Sequence, residues 1–306
     1  MATQTSTREQ PLNVVLRPHS PAEAAYRSAV LAPGFTPEPG LNLQYLGGRT
    51  LPALTFTTVY LGHWPAADRR ELDRALAAAM SDPGLNEVLA QYFPGRDVTA
   101  TFAGSHPGAA PVPRRVDKDM VESLVGTLDR AGTLAALELG RTAVCLLLPP
   151  GAVLVDGTER DVEPPDSEHG LGGYHGSVHV RRGRRRETVL YAVAVYSEDG
   201  NGIVAFDEPW QNVCATVYHE LQEVRTDPDV EDAIRAGREP SGPHLLGWYS
   251  PRGGEIGDIP IAEAHGDIRR VLREVPLADG SGSVPVQLMW SNRLGGPEAP
   301  ATSWPS

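Results

Sequence analysis

The sequence predicts an α/β or α+β domain with a mixed sheet, and three observations predict it. Apolar, β-branched runs alternate with segments of helical periodicity along most of the chain. Residues 143–148 are apolar throughout and stop at Pro149-Pro150, which suits a strand buried on both faces. Residues 173–180 and 188–196 alternate on either side of Gly183, as a hairpin does, and lead directly into a helical segment.

In chain order, residues 1–40 are polar and rich in Pro, Ser, Thr and Ala, and read as a mobile arm. Residues 51–62 are β-branched and aromatic and read as a strand. Leu72, Leu76 and Ala79 at helical spacing predict a helix over 68–80, closed by Asp82-Pro83-Gly84. A second helix is expected over 85–93 and a strand over 98–102. Asp117 opens a further helix whose buried face is marked by Met120, Val121, Leu124 and Leu128. Residues 156–172 are acidic and rich in Pro and Gly, hence a loop. A helix is predicted over 209–225, with Pro209 in its first turn. After Pro228 the pattern is that of loops until a strand over 284–290, and the tail from 295 reads as disordered. The division is therefore an arm over 1–40, a single domain over 41–294 and a tail over 295–306.

Charge and composition exclude several classes of function. Lys and Arg number 27 against 39 Asp and Glu, a net charge of −12, which repels nucleic-acid backbones. The basic run Arg181-Arg182-Gly183-Arg184-Arg185-Arg186 reads as a solvated hairpin tip. No apolar run has the length of a membrane span, and residues 1–20 hold no stretch of signal-peptide type. Cys145 and Cys214 both fall in apolar segments and read as buried free thiols. A cytoplasmic protein is expected, with no nucleic-acid or membrane partner. The sequence carries no sign of oligomeric state.

The chemistry concentrates in Val217-Tyr218-His219-Glu220-Leu221-Gln222-Glu223. Residues four apart share one face of a helix, so His219 and Glu223 converge on one point. This is the logic of the H-E-x-x-H zinc motif with Glu in place of the second His, and Glu220 stands where a general base would. On its own the pattern is more often the polar face of a solvated helix. Downstream, Gly253-Gly254-Glu255-Ile256-Gly257-Asp258 embeds two carboxylates in glycine, and a third anionic ligand is expected there. Upstream, Gly173-Tyr174-His175-Gly176 sets another histidine in flexible backbone.

These segments, taken in order, resemble the EXORDIUM/phosphate-induced protein family of plant cell walls and its bacterial relatives with H-E-x-x-E. The resemblance covers residues 51–292. It begins with Val59-Tyr60-Leu61-Gly62-His63-Trp64 and continues through Tyr174-His175, His219-Glu220-x-x-Glu223, Thr226-Asp227-Pro228 and Gly247-Trp248-Tyr249. It ends with Glu255-Ile256-Gly257-Asp258 and Val286-Gln287-Leu288-Met289-Trp290-Ser291. The plant members are secreted and carry cysteines near the aromatic-His pair and after the Glu-Ile-x-Asp segment; here Asp258 is followed by Ile259-Pro260.

Together the motif and the resemblance imply a zincin-like core whose active-site helix carries H-E-x-x-E. The expected ligands are His219, Glu223 and Asp258, with Glu255 and Asp227 as outer partners or alternative ligands. Glu220 and His175 are the catalytic candidates; Tyr174, Trp248 and Tyr249 would border the substrate. Zn²⁺ ranks first, and an oxygen-rich set also suits Mn²⁺, Ca²⁺ or Fe. The implied reaction is hydrolysis of a peptide or amide bond in a small or restricted substrate. The opposing readings are a metal-stabilised binding protein without catalysis and a metalloenzyme of redox chemistry.

Overall fold

The computed structural model describes residues 30–108, 112–158, 161–236 and 245–300. It is a mixed α+β structure around a five-stranded sheet. The strands are β1 (Ala53–Tyr60), β2 (Thr99–Pro107), β3 (Thr142–Leu147), β4 (Gly173–Arg182) and β5 (Arg185–Ala194), in the spatial order β2-β1-β3-β5-β4. The first four in that order run parallel; β4 joins β5 antiparallel and closes one edge. The hairpin between them turns at Gly183, whose φ of +64° lies in the region glycine favours, so the basic run does form a tip.

Among the described residues six α-helices accompany the sheet: α1 (Ala66–Ser81), α2 (Pro83–Ala90), α3 (Lys118–Arg130), α4 (Pro209–Thr226), α5 (Val230–Arg235) and α6 (Asp258–Glu263). The sheet has an apolar core on each face. On one face Phe56, Cys145, Leu147 and Ala192 pack with α1, α2 and the Val213, Val217, Leu221 and Val224 side of α4. On the other, Val59, Val144, Leu146 and Val193 pack with Val121 and Val125 of α3. The alternation along β3 explains its wholly apolar sequence: successive residues serve different cores. Met120 was expected on the buried face of α3, but it is 38% exposed; Val125 takes that role, because the apolar stripe falls one residue later than predicted.

A hairpin of β6 (Leu272–Pro276) and β7 (Ser283–Gln287) packs β7 across α4. The segment after Pro228, expected to be loop, thus contains α5, α6 and β6. The two helices have only six residues each, too few for a periodic stripe to show, and Pro260 disguises α6. At the chain's two ends Val30–Leu31 pairs with Gly296–Ala299, so ordered backbone reaches into the stretches read as arm and tail. Residues 1–29 and 301–306 lie outside the described residues. Cys145 and Cys214 are buried and free. Among the described residues no helix is long and apolar enough to cross a membrane.

Candidate metal centre

Helix α4 begins with Pro209 at its first position and a reciprocal capping box between Glu208 and Gln211. Fourteen of its 18 residues are buried, Glu220 and Glu223 among them, which rules out a solvated helix face. Glu220 and Glu223 are 4% and 3% exposed. An uncompensated buried carboxylate costs several kcal/mol, so their surroundings must supply positive charge or hydrogen-bond donors.

The partners are two imidazoles. His219 Nε2 lies 3.2 Å from Glu223 Oε1, 3.9 Å from Glu220 Oε1 and 3.9 Å from Asp258 Oδ1. Across the helix from it, His175 on β4 places Nδ1 3.4 Å from Glu220 Oε2 and 3.4 Å from Glu223 Oε2. For comparison, two ligands at the usual zinc distances and a tetrahedral angle stand about 3.3 Å apart. His219, Glu220 and Glu223 offer ligand atoms that all lie within 4.8 Å of one another, and so do His175, Glu223 and Glu255.

Hydrogen bonding fixes the ring of His219. Gln287 Nε2 donates to the Gly257 carbonyl at 2.6 Å, so its Oε1 is the atom 2.9 Å from His219 Nδ1. That oxygen only accepts, so Nδ1 carries a proton; Nε2, which faces Glu223, is then the nitrogen that holds the second proton of a charged ring or, once that proton is displaced, offers its lone pair to a cation. This is how an outer partner commonly orients a metal-ligating histidine. Gln287→Leu keeps the bulk and removes the acceptor. It is expected to weaken Zn²⁺ binding about ten- to a hundredfold, measured by competition with a chelating dye; undiminished affinity would remove Gln287 from this role.

Asp258 and Glu255 do not share one locus. Asp258 stands at the mouth of the site with its side chain 54% exposed, and its Oδ2 accepts from the Glu255 backbone N–H. Glu255 is buried on the inner side, its Oε1 3.6 Å from His175 Nε2. Asp227 is the C-cap residue of α4, its N–H donating to the Glu223 carbonyl, while its Oδ1 accepts from the Gly247 N–H. His175, a catalytic candidate in the sequence, is enclosed beneath the helix with its side chain 3% exposed. Tyr174 faces the opposite core, because successive strand residues point to opposite faces. Trp248 packs between Tyr45 and Tyr92 and donates to the Tyr92 carbonyl, while Tyr249 pairs with Gln44.

A cleft of about 270 Å³ opens over the outer imidazole. His219, Glu220 and Asp258 meet Leu171, Ile203, Ile261 and Leu272 there, and Tyr174, Trp248 and Tyr249 are not in its lining. Thr216, one turn before Glu220, also borders it, with a buried hydroxyl that has no hydrogen-bond partner. Sequence reasoning missed Thr216, Gln287 and Gly257. An amide inside the apolar strand Val284-Pro285-Val286-Gln287 was the one available signal.

Without a cation, protons balance the cluster. Burial pulls both imidazoles down, but Glu223 and Glu220 outweigh it at His219, and Glu255, Glu220 and Glu223 at His175, so both rings sit well above the ordinary histidine value. Burial raises Glu220 and Glu255, and pushes Asp227 up to about 7. Burial also acts on Glu223, but His219 and His175 outweigh it and hold the carboxyl at about 2.

The imidazoles contribute stability fully present below their unfolded value and lost as pH rises through the raised folded one. These raised carboxyls, and that of Asp258, which burial lifts to about 6, act in the same direction: the folded state holds protons that the unfolded chain has released, for Asp227 between 3.8 and about 7. Glu223 acts oppositely, but only below pH 4.5. Metal-free protein is thus expected to lose stability from pH 5.5 to pH 8. Because metal binding displaces protons, added Zn²⁺ should raise the melting temperature more at pH 8 than at pH 5.5. Thermal melts with chelator and with Zn²⁺ at both pH values measure this; a gap that does not widen with pH contradicts it.

No family model matches the chain, and no curated protein sequence matches it. The EXORDIUM resemblance therefore rests on the ordered motifs alone. Among solved structures, the crystal structure of metalloproteinase-II from Bacteroides fragilis aligns at 13% identity and a TM-score of 0.32. The alignment covers 76% of this chain and 64% of that one, less than two thirds of the neighbour's length. A likeness this loose carries no argument, and the case for a metal rests on the residues themselves.

Proposed function

We infer that the chain is a metal-dependent hydrolase acting on a peptide or amide bond, with Zn²⁺ held by His219, Glu223 and Asp258. The observation that carries this is the Nε2 of His219, its ring held through Nδ1 by Gln287, standing 3.2 Å from Glu223 and 3.9 Å from Glu220, two buried carboxylates, beside a cleft. The H-E-x-x-E helix beneath a mixed sheet whose antiparallel edge strand begins at the cleft supports a zincin-like core and accords with the EXORDIUM-type motif order. The bound cation would supply Lewis acidity, polarising a scissile carbonyl and acidifying adjacent water.

The remaining work belongs to the chain. Glu220 borders the cleft, and burial raises its carboxyl toward the range a proton carrier needs at neutral pH. It takes a proton from water as the oxygen attacks the carbonyl carbon, then delivers it to the nitrogen as the C–N bond breaks. The Thr216 hydroxyl is free to donate to a substrate carbonyl or accept from its amide. The cleft is smaller than most ligand pockets, which start at about 300 Å³, and its walls are aliphatic and glycine-rich. This favours a small substrate, or one short apolar side chain of a peptide. The two buried free thiols, Cys145 and Cys214, accord with a reducing compartment.

The test is elemental analysis of protein purified without added metal, followed by a panel of short peptides and N-acyl amides. Cleavage that stops with chelator and returns with Zn²⁺ is expected. Bound metal with no cleavage across the panel would favour a metal-stabilised binding protein, and no metal would end both readings.

A further inference from the structure

The outer imidazole accounts for only half of the buried charge. His175 Nε2 lies 3.4 Å from the Asp227 carbonyl oxygen, which can only accept, so Nε2 carries a proton. A neutral ring then turns its bare Nδ1 toward Glu220 Oε2 and Glu223 Oε2, lone pair against lone pair. Something positive belongs between them. A proton on Nδ1 would answer those two contacts but leave the rest. Glu255 is 9% exposed, and its Oε1 lies 3.6 Å from the Nε2 edge of the His175 ring, too far to accept its hydrogen, and accepts no other hydrogen bond. Asp227 is 0% exposed, and its Oδ2 accepts none either. Glu220, Glu223, Glu255 and Asp227 thus bring four buried carboxylates to one place, and a single divalent ion offsets two.

We propose that the chain binds a second divalent cation, held by His175, Glu223 and Glu255 beneath the outer one, with Glu223 bridging the two. This builds on the metal reading of His219 and Glu223. The bridging geometry is explicit: Glu223 Oε1 faces His219 at 3.2 Å and Oε2 faces His175 at 3.4 Å. Hydrolytic two-metal sites place their ions about 3.5–4 Å apart, a span one carboxylate bridges. The two positions differ in access. His219 and Glu220 border the cleft, whereas His175 and Glu223 lie below it with side chains 3% and 4% exposed. An open position suits catalysis and a closed one suits structure. The inner ion would fix Glu223, and through it the outer ion, while joining β4, α4 and the segment carrying Glu255. Its donors, one imidazole and two carboxylates, suit Zn²⁺ or Mn²⁺.

Full-length protein stripped with chelator and titrated with Zn²⁺ alone, then analysed for metal after gel filtration, tests this. Two ions per chain are expected. Glu255→Gln should lose the inner one and His219→Ala the outer one, each variant keeping one ion, and Glu223→Gln should lose both. Wild type loaded with Mn²⁺ should show the electron paramagnetic resonance of an exchange-coupled pair, a readout that needs no variant to fold. One ion per chain, lost in His219→Ala and kept in Glu255→Gln, overturns the second site and leaves the proposed hydrolase standing. One ion lost in Glu255→Gln but kept in His219→Ala overturns both the pair and the outer assignment, as does no binding at all. Two ions that both persist in Glu255→Gln, or uncoupled Mn²⁺, also overturn the proposal.

Discussion

Glu220→Gln is expected to retain its metal while turnover falls by at least about a hundredfold. The amide keeps the size of the side chain and most of its hydrogen-bonding reach, but has no basic oxygen to take a proton from water. The residue borders the cleft, and its two oxygens face the two imidazoles, Oε1 at 3.9 Å and Oε2 at 3.4 Å. It is therefore placed to exchange protons above while remaining fixed below. The measurement is metal content beside single-turnover kinetics on the best substrate of the peptide panel. Full turnover in Glu220→Gln would move the base elsewhere. A loss of metal in proportion to activity would make Glu220 a ligand.

Gly257→Ala should disable the metal site with a single added methyl group. Gly257 has φ −90° and ψ −30°, a conformation alanine adopts freely, so backbone strain is not the issue. The difficulty is space. A Cβ there would stand 2.5 Å from His219 Nδ1, 2.6 Å from its Cε1 and 2.9 Å from Glu223 Oε1. Neither side chain can yield easily: Gln287 holds the ring, and the Gly257 N–H itself donates to Glu223 Oε1 at 3.2 Å. Overpacking of this kind costs about 1–3 kcal/mol of stability, which a domain survives. Displacing a ligand ring and its neighbouring carboxylate together should lower Zn²⁺ affinity more than about a hundredfold, beyond the loss of one outer partner. Zn²⁺ titration beside a thermal melt separates the two effects. Native affinity in a folded Gly257→Ala protein would mean that His219 does not ligate in this orientation.

Local chemistry was legible in the sequence; assembly was not. Pro209 at the start of α4 and the four-residue spacing of His219 and Glu223 are properties of one short stretch, and both hold. The wholly apolar 143–148 run announced a central strand for the same reason. His175 sits on β4, 44 positions before His219 in the chain, and only the packing of α4 against the edge strand joins them. Asp258 and Glu255 could not be told apart by spacing, because a chain reversal through Ser250 and Gly254 and the start of α6 decide which faces outward. Tyr174 looked like a site residue through its neighbour, but strand alternation turns it to the other core. Gln287 and Gly257 act through hydrogen-bond direction and missing volume, neither of which residue type alone reveals.

Helix α4 is the most enclosed element near the centre, whereas Glu255, Gly257 and Asp258 arrive on a rim made of a two-residue strand at Trp248–Tyr249 and the single short helix α6. Amides of the floor should exchange with solvent only when the whole fold opens, and those of the rim by local opening. A cation that touches both works as a clasp. Its binding should slow hydrogen exchange across residues 250–263 by suppressing local opening, and across 213–226 only by the amount that it stabilises the whole fold. The rim is then the part that can lift as substrate enters and settle as the site fills, over a floor that stays still.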